Sequence, residues 1–143
     1  MTSAHDTRAG QTASQGAEVY QAHRQDKPWG HERIFAVVEG KYVGKILHLN
    51  AGHSLSKQYH EHKEETIHVL SGEAVIQYGE IGGELTERKF LPGDTIHLPA
   101  RAIHRVTAVT DIVLAEASTA LAGWREDVVR LEDAYNRSGT SAP

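Results

Sequence analysis

The chain has no cysteine among its 143 residues. That excludes a disulfide framework, a thiolate metal site and a cysteine nucleophile, and it is compatible with a cytoplasmic location. Strong charge of one sign is also missing. Fifteen Lys and Arg against nineteen Asp and Glu leave a formal charge of −4, so no nucleic-acid partner is expected. Residues 1–18 hold Ala, Gly, Ser, Thr and Gln with no apolar run. They are expected to be neither a secretory signal nor a membrane span but a disordered tail, and no membrane partner is expected. The length suits one core. The reading is a tail over 1–18, one domain over 19–137 and a flexible C-terminus over 138–143.

From Val19 onward the pattern is of short strands. Tyr42 to Leu49 is apolar and ends at the turn Asn50-Ala-Gly52. Glu65 to Leu70 ends at Ser71-Gly72, and Glu73 to Tyr78 runs toward Gly82-Gly83, a hairpin connection. Leu91-Pro-Gly-Asp94 is a further turn before Thr95 to Leu98, and Val106–Val109 and Ile112–Ala115 follow. Many short strands with regular turns predict an all-β barrel or sandwich. At the C-terminal end Trp124, Val128, Leu131 and Tyr135 recur at helical spacing, while Asp127 to Leu131 also reads as a closing strand. The expected ending is a strand or a turn of helix packed on the barrel.

Two stretches carry the chemistry. One reads Gly52-x5-Gln58-x-His60-x4-Glu65-x6-Gly72, the other Gly93-x5-Pro99-x-Arg101-x2-His104. Together they resemble the paired signature of the cupin family. The resemblance implies a single-domain cupin jelly-roll β-barrel, here with a short C-terminal extension, and one metal ion held inside it. A competing register takes His60 and His62 as the histidine pair. It leaves too few residues before Glu65 and too many after Gly52. The register with Gln58 and His60 fits at every spacing and is adopted, with His62 as an extra.

Residues two apart on a strand share a face, so Gln58 and His60 project together. Glu65 arrives from the next strand and His104 from a later one. An amide oxygen, two imidazoles and a carboxylate form a mixed set suited to one divalent ion per chain, Zn, Mn, Fe, Co or Ni.

The resemblance narrows further. Lys27-Pro-Trp-Gly30, Ser56-Lys-Gln-Tyr-His60, His104-Arg105 and Glu126-Asp-Val-Val-Arg130 through Arg137 are similar to segments of the barrel domain of type II mannose-6-phosphate isomerases. That family's ligand set is a glutamine, two histidines and a glutamate, which the resemblance carries to Gln58, His60, Glu65 and His104. The chain departs from the family at Lys57, Glu61 and Thr66, and Arg101 stands where the second motif has glycine.

The resemblance implies aldose–ketose isomerisation, which needs a group that moves a proton between adjacent carbons. Lys45 shares the face of Leu47 and Leu49 and aligns with a lysine of the isomerases. Glu116 lies in a late strand. These two are the candidate catalytic residues. A solvated strand-edge charge for Lys45, and a charge partner for Glu116, are the structural alternatives. Parity turns His48 and His68 outward and Arg105 away from the metal, toward a salt bridge. His97 is a candidate for the barrel mouth, His62, Lys63 and Glu64 for a solvated rim, and Trp29 for the core. Arg130 and Arg137 match family positions and could bind an anion.

Three function classes follow: a metal-dependent sugar or sugar-phosphate isomerase, favoured; another small-molecule cupin enzyme such as an Fe-dependent dioxygenase or a lyase; and a non-catalytic ligand-binding cupin. A homodimer is expected, because outward apolar residues such as Ile46 and Val75 would otherwise meet water.

Overall fold

The computed structural model describes residues 16–135 and 137. The expected tails lie outside the described residues, apart from 16–18. Among the described residues the elements are eleven strands: β1 (His23–Lys27), β2 (Gly30–Val38), β3 (Tyr42–Leu49), β4 (Lys57–Tyr59), β5 (Glu65–Ser71), β6 (Ala74–Gly79), β7 (Thr86–Phe90), β8 (Thr95–Leu98), β9 (Ile103–Ala108), β10 (Ile112–Thr119) and β11 (Val129–Glu132). No helix among them is long and apolar enough to cross a membrane.

The strands form two sheets, ordered β1-β2-β3-β10-β5-β8 and β11-β4-β9-β6-β7, with antiparallel neighbours throughout. This is the expected all-β jelly roll. The sequence repeats explain the sandwich. β3 buries Val43, Leu47 and Leu49, while β10 buries Ile112 and Leu114. Period-two alternation of this kind gives each sheet one apolar face. Those faces meet in a core of Leu47, Leu49, Ile67, Val69, Ile76, Phe90, Val106 and Leu114, with Trp29 packed among them. Full burial of each such side chain contributes about 1.5–3 kcal/mol.

The same inward rows change character toward one end of the barrel. Lys45 on β3, Glu116 on β10, Glu65 on β5, His104 on β9 and Glu32 on β2 hold inward positions. The barrel is thus filled with hydrocarbon at one end and lined with charge at the other. A second apolar cluster of Ile34, Val37, Val43, Ala120 and Trp124 packs beside the charged part.

Among the described residues the C-terminal segment is a strand and not a helix. After turns over residues 122–126, Val129–Glu132 pairs with β4, placing Arg130 opposite Gln58. Of the four residues at helical spacing, Trp124 is buried, Val128 lines the cavity, Tyr135 packs on the main core and Leu131 is exposed. They are anchors of an extended strap and not one face of a helix.

Candidate metal centre and cavity

His60, Glu65 and His104 converge. One ligand atom from each lies within 4.8 Å of the others, and all three residues are buried. Glu65 Oε2 is 3.3 Å from His60 Nε2, and Oε1 is 3.3 Å from His104 Nε2. Gln58 faces His104 across the β4–β9 ladder and lines the same cavity. Its Oε1 accepts a hydrogen bond from Ser56 Oγ at 3.1 Å. His62 is exposed and outside the cluster, which favours the register built on Gln58 and His60.

The imidazole protons can be placed. His60 Nδ1 lies 2.5 Å from the carbonyl oxygen of Asp127, and His104 Nδ1 lies 3.1 Å from that of Ala102. A carbonyl oxygen only accepts, so each Nδ1 carries the hydrogen and each Nε2 keeps its lone pair. Both Nε2 atoms are buried without a hydrogen-bond partner. Two nitrogen lone pairs therefore converge on a carboxylate, an arrangement suited to a cation. This donor set, with its second nitrogens tied to backbone, fits a divalent metal ion.

The surrounding charge agrees. Burial pushes the Glu65 carboxyl up, but Lys63 first, and then the adjoining His104 and His60 imidazoles, outweigh it and hold Glu65 well below the usual carboxylate range. Burial pulls His104 down, yet its contact with Glu65 leaves it raised.

Lys63 corrects the expectation of a solvated rim. It is 8% exposed, with Nζ 3.3 Å from Glu65 and 3.4 Å from Glu116. Burial opposes its charge, and the two carboxylates overcome that and raise its pKa. The turn folds inward because two buried carboxylates need a cation. Glu116 is thus the charge partner of a lysine as well as a cavity residue. His62 and Glu64 do stay at the surface. His97 does not line the cavity. It sits at the edge of the six-stranded sheet, 2.7 Å from Glu64 and 3.0 Å from Thr66 Oγ1, because its partner in the β5–β8 ladder, Thr66, faces outward.

Lys45 points inward as expected, with Nζ 3.4 Å from Glu32 Oε2. It stands opposite Glu116 in the β3–β10 ladder. Glu32 is a buried acid that the sequence reading passed over. Its signal was a charge on the inward parity of β2, in register with Leu47. Trp29 is buried in the core, His48 stacks on His31 outside the barrel, and His68 bonds Thr95 there. Arg105 turns away to Glu132 at 3.5 Å.

These groups surround a cavity of about 440 Å³. His60 and Glu65 of the cluster line it together with Lys45, Lys63 and Glu116, as do Lys27, Arg130 and Arg137. Burial is the first cause that lowers the Lys27 pKa; Glu32 opposes, and nearby Lys45, Arg137 and Arg130 lower it further. Arg137 is itself held by Asp133 at 2.9 Å.

Residues 45–115 match the cupin domain family. The alginate biosynthesis protein AlgA of Pseudomonas putida is 30% identical over 134 residues, or 92% of this chain, but the chain spans only 25% of that protein's length. Among solved structures, the capsular polysaccharide assembling protein CapF of Staphylococcus aureus superposes with TM-score 0.70 at 18% identity, over 80% of this chain and 33% of CapF. KdgF of Halomonas sp. does so with TM-score 0.59 at 20% identity, over 68% of this chain and 86% of KdgF. Oxalate decarboxylase of Bacillus subtilis gives TM-score 0.68 at 15% identity, over 77% and 30% of the two chains. At these identities the structures show a shared fold.

Proposed function

We propose, from a barrel whose residues 45–115 match the cupin domain family, that this chain is a metal-dependent isomerase of a sugar or sugar phosphate. The observation that carries the reading is the pair of buried, unpartnered Nε2 atoms facing Glu65. Gln58, His60, Glu65 and His104 would hold one divalent ion. When bound, that ion supplies Lewis-acid stabilisation of negative charge developing on substrate oxygens.

The protein's own residues do the rest. Lys45 and Glu116 are the proton-carrying pair, lining the cavity from adjacent strands. One of them takes the proton from the carbon bearing the hydroxyl and returns it to the neighbouring carbonyl carbon, while the other carries the hydroxyl proton across to the carbonyl oxygen, so no redox cofactor is needed. Glu32 and Lys63 fix these side chains through their ion pairs. Lys27, Arg130 and Arg137 gather positive charge on one side of the cavity, which favours a phosphorylated sugar over a neutral one. A relative named for alginate biosynthesis is in keeping with sugar chemistry.

The test is deuterium exchange from D2O into a panel of aldoses, ketoses and their phosphates. Incorporation that requires both added metal and Lys45, and is lost in Lys45→Met, is the expected result. No exchange with any of them, together with oxygen uptake on another small substrate, would move the assignment to a dioxygenase.

A further inference from the structure

The segment between β10 and β11 lies across the cavity, and one of its residues touches the metal-ligand turn at four points. Asp127 Oδ1 accepts the backbone N–H of Glu61 at 2.7 Å. Its Oδ2 accepts those of His62 at 2.9 Å and Lys63 at 2.8 Å. Its own carbonyl oxygen accepts Nδ1–H of His60 at 2.5 Å. We infer that Asp127 is the positioning residue of the centre, setting both the tautomer of His60 and the path of the turn that joins His60 to Glu65. The inference rests on the metal reading above and is independent of the reaction.

The physical basis is the turn itself. Four residues separate His60 from Glu65, and they belong to no strand. Their amides have no ladder to satisfy them, and three successive N–H groups converge on one carboxylate. Such convergent amides form an anion-binding concavity, and bonds to an ionised acceptor are stronger than neutral ones. The third amide belongs to Lys63, whose side chain bridges Glu65 and Glu116. Holding that amide therefore holds the cation beside the ligand carboxylate. The carboxyl of Asp127 is lowered, since the three amides outweigh its partial burial. The other imidazole is held differently: His104 Nδ1 bonds Ala102, two residues away on its own strand approach. A change at Asp127 should therefore disturb one histidine and spare the other.

The experiment compares the full-length chain with Asp127→Asn and Asp127→Ser. Co2+ is the probe, with affinity measured by chelator competition and expressed per folded molecule from circular dichroism. Both variants keep the backbone carbonyl that His60 bonds but lose the ionised carboxylate that anchors it against the turn. Loosening an outer partner of a metal ligand typically weakens binding by about 10- to 100-fold, and that is the result expected for both. Long-range 1H–15N spectra of metal-free protein give the second readout. Wild type should show His60 and His104 both protonated at Nδ1. The variants should show His60 mixed between tautomers and His104 unchanged. Affinity within twofold of wild type with His60 unaltered would overturn the role of Asp127, as would an affinity that falls only with the folded fraction. If neither variant folds, the wild-type spectrum decides, and His60 protonated at Nε2 would overturn it. Wild type that binds no Co2+ would instead overturn the metal reading, along with the affinity effect.

Discussion

Lys63 departs furthest from what its sequence neighbours suggest. It stands in a charged turn, Glu61-His-Lys-Glu64, yet its ammonium lies between two buried carboxylates. Lys63→Met would leave Glu65 and Glu116 facing each other without a cation, so metal-free protein should lose about 3–5 kcal/mol of stability. Urea unfolding checks this, and a loss under about 1 kcal/mol would match an exposed pair instead. The cluster of His60, Glu65 and His104, with Gln58 opposite His104, was legible in the sequence because strand periodicity and motif spacing bring these candidate ligands together. Lys63 was not, since a turn has no period to say which side chain folds inward. Glu32 was legible in principle through its parity, whereas Asp127 acts across a separation of 64 to 67 residues that no local pattern encodes. Arg101 stands where the second motif has glycine, and it retains a left-handed φ of 72°. Its backbone N–H donates to the carbonyl of His60, a candidate ligand, at 2.7 Å, so the turn geometry of the motif survives the substitution.

At the scale of elements, the glycines of the first motif do different work. Gly52 has φ +83° and open space where a Cβ would stand. Gly72 has φ +85°, and a Cβ there would lie 2.2 Å from the carbonyl oxygen of Asp111. Gly52→Ala should cost only the left-handed backbone penalty, roughly 1–2 kcal/mol. Gly72→Ala must also push two backbones apart, so it should lower the unfolding midpoint distinctly further. Equal midpoints in parallel denaturation would contradict that view of the turn between β5 and β6. Strand boundaries were readable where apolar alternation is continuous, and β3 and β8 match the expected spans. β9 begins at Ile103, three residues before the apolar run suggested, because His104 and Arg105 are polar members of a strand that carries a candidate ligand. The strap after β10 was ambiguous because Trp124, Val128 and Tyr135 serve separate packing sites that happen to repeat like a helix.

For the whole molecule, the outer face of the six-stranded sheet is the surface most in need of cover. Phe35 lies over Gly44 on it and is 48% exposed, and Leu70 is 47% exposed. Ile46, Ala115 and Ala117 share that parity across β3 and β10. Val75 belongs to β6 in the other sheet, so one interface cannot bury both Ile46 and Val75. We propose a two-fold homodimer through the six-stranded face, where self-complementary apolar surface would be removed from water. Light scattering at micromolar concentration should give twice the chain mass of 15.7 kDa, and Phe35→Glu should reduce it to the single-chain value. A single-chain mass for wild type would rule the dimer out.

The proposed stoichiometry of one ion per chain is likewise a matter for the whole molecule, and measuring it tests the central claim most directly. Metal analysis of purified protein should find one divalent ion per chain in wild type. The double variant His60→Ala, His104→Ala should hold none while its circular dichroism stays that of a folded β-protein, and Gln58→Ala should bind more weakly than wild type. Loss of the metal in His62→Ala, with Gln58→Ala unaffected, would contradict the assignment of the centre.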